Sequence, residues 1–168
     1  MTRFILLLAV IVIASSCEKA LKEDCTPESF EFNYSFNQKI DTVRLPVTDP
    51  QFLFYDYTVV SGDKNVFQFK HIFQDCEKIA DDEGTLSLVF EAPPLVNTFS
   101  YTDSAQLAAA KCIVYLACFC TPNKPLFVKK GIIEGVRLNS TTWKIKTDLT
   151  MPWNASSKIA FEKDFELK

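Results

Sequence analysis

Glycine, histidine and long apolar runs are scarce in this chain. It holds 4 Gly and 1 His in 168 residues. With so little glycine, no phosphate-cradling glycine loop and no Gly-x-Ser-x-Gly nucleophile turn occurs anywhere in it. A lone histidine, His71, excludes the His-Glu-x-x-His zinc motif. Basic charge is not in excess: 18 Lys and Arg stand against 21 Asp and Glu, a net charge of −3. Such a balance lacks the basic footprint that holds nucleic acid, so no nucleic-acid partner is expected. The longest apolar run, Phe4 to Ala14, would rise only ~16 Å as a helix. That is about half of the ~30 Å hydrocarbon core of a bilayer.

Phenylalanine is abundant, with 15 residues. A hydrophobic share of 48% and a charged share of 23% describe an ordinary globular chain, long enough for one domain with its own core.

The N-terminus has the pattern of an export leader. A positive start at Arg3 precedes the short apolar run, and Ala14, Ser15 and Ser16 are small residues set directly before Cys17. "ASSC" resembles a bacterial lipobox, with Ala14 where leucine is commonest. The resemblance implies cleavage after residue 16 and a diacylglycerol on the Cys17 thiol, with a further acyl chain on its amine. More than one chain gives stable anchoring without a transmembrane helix. The alternative is an ordinary secreted protein cut near Ala14 or Ser16, with Cys17 left to form a disulfide. Residues 17–28 are mostly charged and polar and read as a flexible tether. Residues 29–168 then form the domain.

Within the domain the hydrophobic period is two. Phe30, Phe32, Tyr34 and Phe36 share one face of a half-buried strand. Val43, Leu45 and Val47 mark a separate strand ending near Pro46. Phe67, Phe69, His71 and Phe73 alternate in the same way, as do Leu86, Leu88 and Phe90, and Trp143, Ile145, Thr147 and Leu149. Ile159, Phe161, Phe165 and Leu167 form the last row. The apolar run Lys111 to Cys120 reads as a central strand. Asn139–Thr141 and Asn154–Ser157 read as turns. Asp103 followed by good helix formers to Ala110 predicts one short helix. Nine to ten short strands and one helix predict an all-β, mostly antiparallel sandwich or barrel-like fold.

If Cys17 is lipidated, Cys25, Cys76, Cys112, Cys118 and Cys120 remain as disulfide candidates. Five is odd, so at least one thiol lacks an intramolecular partner. A bridge from Cys76 to Cys118 or Cys120 would tie the acidic connection Asp75–Gly84 to the apolar strand. His71, Cys76, Cys118 and Cys120 are the competing zinc candidates, but Cys-x-Cys lacks the usual two-residue gap. The acidic connection does not match a calcium loop. His71 falls on a phenylalanine face and reads as structural. Neither a metal nor any other cofactor is expected, and no catalytic residue is identified.

Taken together, the leader, the charged tether and the Phe-rich β domain resemble the small lipoproteins of the Bacteroidota outer membrane. The resemblance implies a lipid-anchored, periplasmic or surface-exposed protein. Its expected role is a non-catalytic binding or assembly module that docks a protein or glycan partner through sheet edges or loops. Two alternatives stand beside it. A lipocalin-like carrier would need a roomy aromatic interior, and an envelope hydrolase would need two convergent carboxylates in a cleft.

Overall fold

A computed structural model describes residues 25–44, 55–76, 84–118 and 124–168. The leader, Cys17, tether residues 18–24, acidic residues 77–83 and Cys120 lie outside the described residues.

The fold is all-β and mostly antiparallel. Its strands are β1 (Cys25–Thr26), β2 (Ser29–Arg44), β3 (Tyr55–Ser61), β4 (Lys64–Ile72), β5 (Asp75–Cys76), β6 (Thr85–Ala92), β7 (Thr98–Tyr101), β8 (Ile113–Ala117), β9 (Leu126–Phe127), β10 (Gly131–Arg137), β11 (Thr142–Met151) and β12 (Asn154–Leu167). Among the described residues one helix, α1 (Ser104–Ala109), joins β7 to β8. A 10-stranded sheet runs in the order β7-β10-β11-β12-β2-β4-β6-β8-β9, with β3 added on β2. It curls into a half-barrel. The expected fold class holds.

The concave face carries the main core, because one face of every long strand is apolar at period two. Phe67 lies at its centre. Its ring centroid is 5.5 Å from Tyr34, 5.0 Å from Phe90, 5.5 Å from Trp143 and 5.9 Å from Phe165. The first two belong to its own half of the sheet and the last two to the other half, so this ring cluster joins the halves. Leu88, Ile133, Ile145 and Leu149 complete the interior.

The long ladder of β2 explains a departure from the expected strands. Val43, read as part of a separate strand, belongs to the same 16-residue strand as Phe30 to Phe36, with an irregularity between Ser35 and Gln38; Leu45, Pro46 and Val47 lie outside the described residues. Asn37 takes a left-handed backbone (φ 54°), which asparagine tolerates better than most residues. Its carbonyl accepts from the Gly62 amide at 3.0 Å. A Cβ at Gly62 would meet the Lys39 side chain at 2.6 Å, so the close approach needs glycine. Beyond this bulge, the far half of β2 and all of β3 form an arm. Ile40, Tyr57 and Val59 of the arm cover Val66, Val89 and Ile113 on the outer face.

A buried polar group clamps that arm. Glu91 is 5% exposed and accepts a hydrogen bond from the Ile40 amide. Lys111 donates to the Ile40 carbonyl and lies 3.3 Å from the Glu91 carboxylate. The Glu91 amide donates to Ala110 at the end of α1, and its carbonyl accepts from the Tyr101 hydroxyl at 3.1 Å. Helix, arm and inner core therefore meet at Glu91.

Tyr101 reports this junction. Burial first, and the Glu91 charge second, push its phenol up to about 12. Above pH 10 the unfolded chain loses this proton while the folded chain keeps it, so stability falls as pH rises from about 10 towards 12. Ultraviolet titration is expected to show Tyr101 ionising after an exposed tyrosine. Its replacement by Phe should flatten the alkaline loss of stability.

Other local expectations are corrected. The apolar segment around Cys112 is not central: β8 is followed only by the two-residue β9 at that end of the sheet. The turn into the last strand is at Pro152–Trp153, and Asn154–Ser157 already belong to β12. The helix starts as expected, with Asp103 accepting from the Gln106 amide at 2.8 Å. Gln106 reaches back to the Thr102 amide at 2.7 Å, bracketing the first turn.

Candidate binding cleft

The tether is shorter than its composition implied. Cys25↔Cys76 and Thr26↔Asp75 continue the antiparallel register that pairs Ser29 with Ile72. The β2–β4 ladder thus extends to Cys25. Cys25 is disulfide-bonded, and the register sets Cys76 opposite it. Cys118 is also disulfide-bonded, which removes its thiolate as a zinc ligand. Cys112 is a free thiol, fully buried, and burial pushes its ionisation far up. It is a core residue. Among the described residues no three His, Cys, Asp or Glu side chains converge as a metal site.

Next to this anchored end the sheet opens. The contact between β12 and β2 is parallel and holds only at Glu166↔Asn33 and Leu167↔Tyr34. From there towards the start of β2 the two strands separate. Between them lies a cleft of about 460 Å³ whose lining includes Phe30, Phe32, Phe69, His71, Phe161 and Lys163. The same period-two rows that build the core run out into this opening. Phe32 meets Phe161 edge-on at 5.4 Å, and Phe69 lies 4.9 Å from Phe161. These three rings form the floor. Phe30 forms the rim and is 51% exposed.

His71 is fixed at that rim. Its ring stacks on Phe30 at 4.3 Å and meets Phe73 edge-on at 4.7 Å. Its Nε2 lies 2.9 Å from the Glu28 carboxylate. The expected structural histidine is here, half-buried between rings and tied to a carboxylate. That arrangement holds Glu28, Phe30 and the His71 ring together at the rim. No carboxylate is among the residues lining the cleft.

Comparisons with protein-family models, curated proteins and solved structures found no match. The cleft therefore has to be read from its own chemistry. It offers aromatic faces, the open edge of β12, and two lysines, Lys158 and Lys163. Lys158 is held by Asp148 at 2.8 Å. With the His71 ring at the rim, this set supplies apolar contact, backbone pairing and positive charge. It can bind.

A second hollow, of about 310 Å³, lies by Tyr34, Phe36, Leu95 and Arg137. Its one charged group is already engaged, because Arg137 donates to the carbonyls of Asn139 and Ser140. Sequence reading placed Phe30, Phe32, Phe69 and His71 correctly on shared faces. It missed Lys163, whose place on the cleft side could have been found by continuing the alternation from Phe161 to Phe165.

Proposed function

We propose that this protein is a lipid-anchored, non-catalytic binding module of the cell envelope, and that the cleft between β2 and β12 holds its partner. The observation that carries the reading is the open aromatic cleft bounded by a strand edge that is unpaired among the described residues. Phenylalanine faces left in water are unfavourable unless a partner covers them. The leader and Cys17 support an outer-membrane anchor, and the disulfides at Cys25 and Cys118 fit an oxidising compartment. No described helix is long and apolar enough to cross a membrane. The tether would then hold the module at the surface at high local concentration. Only seven residues separate Cys17 from Cys25, so the cleft would sit close to that surface.

A photocrosslinker at Lys158 is expected to capture an envelope component, and Phe30→Glu is expected to abolish the capture. Glu134→Lys on exposed β10 should leave it intact. Equal capture by all three proteins would sink the cleft as the site. Mass spectrometry of the mature N-terminus tests the anchor: an unmodified Cys17, or one in a disulfide, would remove it. A second reading, a carrier of a small hydrophobic ligand, draws on the all-phenylalanine floor. Native mass spectrometry showing a co-purified amphiphile lost in Phe161→Glu would favour it over a protein partner.

A further inference from the structure

We propose that the cleft takes an extended peptide strand, added antiparallel to the open edge of β12, with an acidic side chain opposite Lys163. This rests on the cleft being the binding site. The edge is the first observation. β12 is paired with β11 along its length, but among the described residues its other side meets a strand only at Glu166 and Leu167. Its residues Lys158 to Phe161 and Lys163 line the cleft directly. Backbone donors and acceptors on that side are a template for strand addition.

The inward row of β12 supplies the second observation. Ile159, Phe161, Lys163 and Phe165 stand opposite Leu149, Thr147, Ile145 and Trp143 of β11, all of them buried. Lys163 is the one cation in this row. No ion pair engages it among the described residues. Lys163 is exposed on the cleft side, and such a charge on an open edge discourages pairing with a wholly apolar strand. The same charge is satisfied by a strand that brings a carboxylate to the facing position. Edge protection and partner selection are then one device.

Antiparallel pairing is the stronger ladder and sets directly opposite residues on the same face. A strand running from the closed end of the cleft towards its mouth meets Lys163, then Phe161, then Ile159. The recognised pattern is therefore acid-x-apolar-x-apolar. The two intervening side chains point to solvent and carry no requirement.

The test uses the protein processed in its native host and blocked seven-residue peptides with glutamate, valine and phenylalanine at alternate positions, separated by threonine. The glutamate peptide is expected to bind at least ten-fold more tightly than its lysine counterpart. Lys163→Glu, an exposed change that leaves the core intact, should reverse that order. N-methylation of one alternating set of peptide amides should abolish binding, and of the other set should leave it, since only one set faces β12. Equal binding of the two peptides, binding of neither, or tolerance of both methylated sets would overturn strand addition. So would a crosslink from Lys158 that lands on residues 18–24 of the same chain. If the peptides fail while Phe30→Glu still abolishes envelope capture, the cleft stands and only strand addition falls. If both fail, both readings fall.

Discussion

Phe67→Ala is expected to destabilise the domain by about 3–5 kcal/mol, the cost of deleting a fully buried aromatic ring. The argument is positional. Phe67 is wholly buried and touches rings from both halves of the curled sheet, including Phe90 on its own side and Trp143 and Phe165 across the core. Its removal leaves a cavity at the point where the halves meet, and no single neighbour is placed to refill it. Stability of a domain this size is typically about 5–15 kcal/mol, so the loss is a large part of the total. Urea unfolding should show a much lower midpoint with an unchanged slope. Phe36→Ala is the control, because Phe36 is 54% exposed and its loss should stay within about 0.5 kcal/mol. Similar midpoints for the two variants would mean that the concave cluster does not hold the halves together.

The rows that meet at Phe67 were legible because each has one buried face, and a period of two is unambiguous there. Phe67 and Phe69, Leu86 to Phe90, and Trp143 to Leu149 all point as the alternation predicts. The helix was legible for a local reason, the pairing of Asp103 with Gln106. What was hidden depends on geometry or on distant chain. The bend that unites Phe30 to Phe36 with Val43 in β2 rests on a left-handed Asn37, and most asparagines do not take that form. The polar, turn-like Asn154–Ser157 is drawn into β12 by pairing that begins with Met151↔Asn154. Nor does local pattern give sheet order. The parallel contact between β12 and β2 joins opposite ends of the chain, and the cleft exists only because that contact is so short. All of the cleft's aromatic lining could be placed on a strand face from sequence. That these faces would look into an opening could not.

The clamp at Glu91 is the second place where one substitution should have a large effect, and its effect should be local. Glu91→Leu keeps the volume but removes the acceptor of the Ile40 amide and the carboxylate beside Lys111. A buried amide left without its acceptor costs about 1–3 kcal/mol. The stranded ammonium adds less than a fully buried charge would, because Lys111 is one-third exposed and water takes part of the burden. A total of about 2–4 kcal/mol is expected. Glu91→Gln keeps an acceptor and should lose about half as much. Because Glu91 fastens the arm to the outer face while the concave core lies on the other side of the sheet, hydrogen exchange should separate the two. Amides of Ile40 and its ladder partner Val59 should exchange faster in Glu91→Leu, while those of Phe67 and Trp143 stay protected relative to global unfolding. Acceleration of all four amides together would mean that the arm opens only with the whole domain. In that case the apolar contacts of Ile40, Tyr57 and Val59 would be sufficient to hold it. Opening of the arm alone would make this corner an independent unit, attached to the half-barrel through one carboxylate.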